Sequence, residues 1–90
     1  MEMTKKLLIR NELGLHARAA AKIVALASRY SSLLSIKKDD HEVEGTSILS
    51  ILSLACPKGT EVLAKAVGED SEALIEALSQ LFEQKFGEAR

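Results

Sequence analysis

The sequence predicts an α+β fold in which an antiparallel four-stranded sheet is covered on one face by three helices, and three observations carry that expectation. Short apolar runs bounded by Gly and polar residues recur along the chain, as strands require. Two longer stretches place Ala, Ile, Leu and Phe at helical spacing. Between the second and third strands lies only a short polar turn, so those strands must form a hairpin. Helices interleaved with hairpin-type strands favour an antiparallel sheet with helices packed on one side.

The elements follow in the order βαββαβα. Thr4 to Ile9 is short, apolar and Lys-flanked, a first strand, and Asn11 to Gly14 carries loop residues. From His16 to Tyr30 the chain is alanine-rich, with Ala17, Ala20, Ile23, Val24 and Ala27 on one helical face. Leu33 to Lys38 reads as the second strand, Asp39 to Glu42 as a polar turn, and a third short strand centres on Val43. Gly45, Thr46 and Ser47 then precede an apolar stretch of about two helical turns, which must end before Pro57. Thr60 to Val67 alternates as a fourth strand and stops at Gly68. Asp70 or Ser71 caps a last helix whose stripe is Ala73, Leu74, Ala77, Leu78, Leu81 and Phe82.

Ninety residues with 47% hydrophobic content suit one domain, spanning 1–90, around one modest core. The net charge of -1 gives no global attraction to nucleic acid or an anionic membrane. Apolar runs such as Ile48 to Cys56 are interrupted by Ser50 and Ser53 and fall short of the ~20 residues a membrane-spanning helix needs. The N-terminus lacks the apolar core and cleavage site of a signal peptide, and the single cysteine, Cys56, permits no internal disulfide, so a cytoplasmic protein is expected.

The informative segment is Asn11-Glu-Leu-Gly-Leu-His-Ala-Arg18, which sets His16 and Arg18 at a loop-to-helix junction. The first amides of a helix have no intrahelical partners, and the peptide dipoles place positive charge there, so an anion such as phosphate is stabilised. Neutral imidazole is a nucleophile, and the positive helix end favours that form. A phosphoryl group on His16 would be cradled by the amides of Ala17, Arg18 and Ala19, with the Arg18 guanidinium matching its oxygens, while Gly14 lets the loop turn close to the site.

The same string resembles the active-site signature of HPr, the histidine phosphocarrier of the bacterial phosphoenolpyruvate-dependent phosphotransferase system. Val43 to Val62, with its Gly-Thr-Ser-Ile-Leu segment and Cys-Pro-Lys-Gly-Thr close, is similar to the second block of that family, and Gly68-Glu69-Asp70 followed by Glu72-Ala73-Leu74 to its entry into the last helix. The resemblance covers essentially the whole chain. It implies an open-faced β-sandwich, with His16 accepting phosphate at Nδ1 from phosphorylated enzyme I, Arg18 assisting, and an IIA-type protein as acceptor. One departure is plain: the family pattern runs His-Ala-Arg-Pro-Ala, whereas this chain has Ala19 where proline is expected. Alanine suits that turn but leaves one additional backbone donor and a looser first turn.

Ser47 occupies the position which, in some HPr proteins, a dedicated kinase (HPr kinase/phosphorylase) phosphorylates; its plain structural role is a helix cap. The apolar residues after it are too many for one core, so some should be exposed, and the resemblance points to Ile48, Leu49 and Leu52 as the docking side. The docked complexes should be transient and the carrier itself a monomer.

Other signals carry less. His41 lies in an acidic turn and reads as solvated, Lys37 and Lys38 read as a solvated strand end, and Tyr30, Phe82 and Phe86 are too scattered to stack bases. His16, His41 and Cys56 lack metal-ligand spacing and no Gly-rich phosphate loop is present, so neither metal, cofactor nor nucleotide is expected. Two alternatives stand beside the sugar-uptake carrier: a regulatory HPr-like binding module controlled through Ser47, and a carrier of the nitrogen-related branch, to whose C-terminus Leu81, Phe82 and Phe86 look similar.

Overall fold

The computed structural model describes residues 1–90. Its elements are β1 (Glu2–Leu8), α1 (Ala17–Ala27), β2 (Leu33–Lys38), β3 (His41–Glu44), α2 (Ile48–Leu52), β4 (Glu61–Val67) and α3 (Ser71–Glu83), followed by a single turn at Lys85–Gly87. The strands form one antiparallel sheet in the order β1-β4-β2-β3. This is the open-faced α+β arrangement the sequence predicts.

Alternation decides which face is covered. Leu7, Val62, Ala64, Ala66, Leu34 and Ile36 point inward and are buried, while their neighbours Lys6, Glu61 and Leu63 remain exposed. Onto the inner face pack Ala19, Ala20, Ile23 and Ala27 of α1, Ile51 of α2, and Leu74, Ile75, Leu78 and Phe82 of α3, making one core. The alanines of α1 and β4 in this core, Ala19, Ala20, Ala64 and Ala66, are fully buried.

Several local expectations are corrected. The buried face of α1 contains Ala19 rather than Ala17, which is exposed, and in α3 Ala73 is exposed while Ile75 is buried. α1 stops at Ala27 instead of Tyr30: the Ser28 hydroxyl donates back to Ala25 O, and the next amides, of Arg29 and Tyr30, bond three residues back to Leu26 and Ala27, tightening the last turn. His41 and Glu42 belong to β3, because Asp39 takes a left-handed φ of 54° and a two-residue turn suffices, pairing Lys38 with His41. Lys38 is not a solvated strand end. Its ammonium donates to Leu54 O at 3.1 Å and Ala55 O at 2.8 Å, satisfying carbonyls beyond the end of α2. Asp70 is the N-cap residue of α3 by position, yet its carboxylate makes no cap bond and binds Ser31 and Ser32 instead.

Candidate functional site

The loop before α1 is fixed from below. Gly14 has φ +70°, and a Cβ there would lie 2.4 Å from Cys56 O and 2.9 Å from Pro57 Cα, so only glycine allows this loop to rest on the segment after α2. Leu15 N–H donates to Cys56 O at 2.9 Å, locking the two segments together. Cys56 itself is buried, as expected; burial pushes its thiol up, and nearby Lys38 only partly opposes this.

His16 is the N-cap of α1, in extended conformation with φ -77° and ψ 176°. Its carbonyl accepts the first helical bond, from Ala20 N at 2.9 Å, and its ring Nδ1 accepts from the Arg18 amide at 3.2 Å. The Ala17 and Ala19 amides make no bond to the chain. Nδ1 therefore lies among outward-facing backbone donors at the positive end of the helix, where an anion attached to it would be received. The Arg18 side chain is exposed and forms no ion pair. Ala19 sits at the third helical position with its methyl fully buried.

One contact of the histidine, and the support behind it, escaped the sequence reading. Nε2 of His16 meets Glu88 Oε2, and the buried Asn11 donates through Nδ2 to Glu88 Oε1 at 3.0 Å and to Gly14 O at 2.7 Å. Two acceptor oxygens facing one Asn11 atom fix it as the amide nitrogen. The Glu88 carboxyl feels burial, which pushes it up, but the hydrogen bonds from His16 and Asn11 and the charges of His16 and Lys22 outweigh that and hold it below the usual carboxylate range. The signal that could have found Glu88 is Phe86: an apolar residue beyond α3 must return to the core, and Gly87 supplies the turn that follows it.

Ser47 is the N-cap of α2 and accepts from Ser50 N at 3.2 Å. α2 packs beside α1. The apolar residues of α2 and the turn after it divide as the sequence requires: Ile51 and Leu54 are buried, Leu49 is 79% exposed, Ile48 38% exposed, and Leu52 is half-buried against the core. No helix is long and apolar enough to cross a membrane.

Comparison with known proteins returns one family. The pattern described as "PTS HPr component phosphorylation site" matches residues 3–84. Phosphocarrier protein HPr of Xylella fastidiosa is 40% identical over 83 residues, covering 92% of this chain and 93% of that one. Phosphocarrier protein NPr of Shewanella violacea is 33% identical over 88 residues, covering 98% and 97%. Among solved structures, HPr-C-His from Thermoanaerobacter tengcongensis superposes with a TM-score of 0.93 at 42% identity over 98% of this chain and 99% of that one. With the match running through the His16 loop, the whole sheet and all three helices, the chain belongs to the HPr family of phosphotransferase-system phosphocarriers.

Proposed function

We propose that this protein takes a phosphoryl group onto Nδ1 of His16 from phosphorylated enzyme I and passes it to a histidine of an IIA-type acceptor, working as a cytoplasmic monomer without a cofactor of its own. The observation that carries this reading is the placement of Nδ1 against the first amides of α1. In the forward step the Nδ1 lone pair attacks phosphorus, and the donor–phosphorus bond breaks with its electron pair leaving on the donor. The Arg18 N–H that now meets Nδ1, together with the unpaired Ala17 and Ala19 amides, is then available to the phosphoryl oxygens. Arg18, unpaired in the free protein, closes over them. The second transfer reverses the step, returning the lone pair to Nδ1.

Docking falls to the exposed apolar side of α2, with Leu49 at its centre, Ile48 beside it and Leu52 at its buried edge. Phosphorylation of Ser47 by a kinase of the HPr kinase/phosphorylase type would place a dianion at the head of that helix and weaken docking through charge. A nitrogen-branch carrier is the second reading, supported by the NPr relative of Shewanella violacea.

The test is a two-stage relay. With phosphoenolpyruvate, Mg²⁺ and enzyme I, label should reach His16 and then move to an added IIA protein of either branch. Retention of the label on the carrier in the presence of competent acceptors of both branches would overturn the assignment as a relay protein.

A further inference from the structure

The chain after α3 is bent in an unusual way. Lys85 and Phe86, neither of them glycine, both adopt left-handed φ values of 56° and 57°, followed by Gly87 at 80°. Such conformations are strained for non-glycine residues and persist where the surroundings over-determine them. Here the surroundings do so. Phe86 is fully buried with its ring 4.9 Å from that of Phe82, its carbonyl accepts from the Lys22 ammonium, and Glu12 N–H donates to Arg90 O at 3.0 Å. The result of the bend is that Glu88 comes back to the start of α1, 72 residues away in sequence, and reaches Nε2 of His16.

We propose, resting on the phosphocarrier reading above, that Glu88 is a positioning residue for His16: its carboxylate, anchored by Asn11, accepts the hydrogen bond from Nε2–H and keeps the Nδ1 lone pair facing the helix amides. A neutral imidazole has one protonated and one free ring nitrogen, and the partner of one decides the role of the other. Glu88 can only accept, so Nε2 must carry the hydrogen; the Arg18 amide can only donate, so Nδ1 must be bare. Both contacts select the same tautomer and hold the ring plane at two points.

During transfer the Nδ1–phosphorus bond forms as the donor–phosphorus bond breaks, and the proton stays on Nε2. The ring gains positive character, which the Glu88 carboxylate offsets at a side chain only 15% exposed. Asn11 completes the support. Its Nδ2 ties Glu88 to Gly14 of the same loop, so the carboxylate and the histidine share one frame.

The test uses the full chain with Glu88→Ala and the isosteric Glu88→Gln. Two readouts are taken: the ¹⁵N shifts of the His16 ring in the unphosphorylated protein, which report the tautomer, and the rate constant of phosphoryl uptake from phosphorylated enzyme I. In the native protein the Nε2–H tautomer dominates. Glu88→Ala should give a mixture of tautomers and an uptake rate lower by about ten-fold, the scale seen when the outer partner of a working histidine is removed, with Glu88→Gln between the two. If either the tautomer or the rate is unchanged in Glu88→Ala, the proposal is overturned. Because the ¹⁵N measurement needs no phosphate donor, it judges Glu88 even if uptake by the native protein fails, an outcome that would instead strike at the phosphocarrier reading.

Discussion

Nδ1 of His16 accepts the Arg18 amide across 3.2 Å, so the ring nitrogen nearest the helix dipole is the one that carries a free pair of electrons. On the proposed mechanism residue 18 has two separable functions: its backbone marks the attacking atom, and its side chain, exposed and unpaired in the free protein, meets the phosphoryl oxygens.

That separation predicts the behaviour of Arg18→Ala. Since the guanidinium makes no bond in the free protein, stability should stay within about 0.5 kcal/mol of native. Transfer should fall by about ten- to a hundred-fold, the equivalent of one charge-assisted hydrogen bond at roughly 1.5–3 kcal/mol. Urea unfolding and quenched-flow uptake measure the two quantities, and a loss of stability with unchanged uptake contradicts the assignment.

Ala19 makes a second prediction. Its N–H has no partner in the chain, so Ala19→Pro sacrifices no hydrogen bond and should stabilise the protein by up to about 1 kcal/mol through the unfolded state. It also removes a donor beside the proposed phosphate position and stiffens the first turn. The variant should therefore show greater amide-exchange protection at the start of α1 and an altered transfer rate. Native-like values of both contradict the account.

At Ser47 the cap and the charge can be told apart. Ser47→Ala removes the acceptor for Ser50 N and should cost about 1 kcal/mol. Ser47→Asp keeps an acceptor there but adds a negative charge next to the proposed docking residues Ile48 and Leu49, so its transfer from enzyme I should slow while its stability holds. Unchanged transfer in Ser47→Asp would leave Ser47 as a cap only.

Asp70 sets a pH dependence. Its carboxylate accepts from the Ser32 hydroxyl and from the amides of Ser31 and Ser32 at 2.9 Å each, which together hold it down to about 2 from an ordinary 3.8. Because the folded value is depressed, its contribution is complete above the unfolded value near 3.8 and is lost as pH falls through about 2. The stability difference between the native protein and Asp70→Asn should be constant at neutral pH and shrink across that acid interval. Urea titrations at several pH values measure it, and a gap that does not change on acidification contradicts the assignment.

The elements of the fold and the position of His16 were legible because they depend on local pattern: alternation in β4, alanines at helical spacing in α1, and loop residues just before a helix. What escaped depends on contacts distant in sequence. Lys38 looked solvated because nothing nearby shows that the carbonyls of Leu54 and Ala55 lie within its reach. Asp70 looked like a cap because Asp before a helix usually is one, but two serines 38 and 39 residues away hold it. Glu88 sits in a short polar segment with no periodicity, and only the left-handed bend at Lys85 and Phe86 carries it to His16. The missing half of the site was written in conformation rather than in composition.

The central claim is that His16 carries the phosphoryl group, and intact mass after incubation with enzyme I, Mg²⁺ and phosphoenolpyruvate tests it most directly. The account predicts a single added phosphoryl group that is lost in acid, and no addition to His16→Ala. No addition to the native protein with a competent donor, or an unchanged addition to His16→Ala, would contradict it.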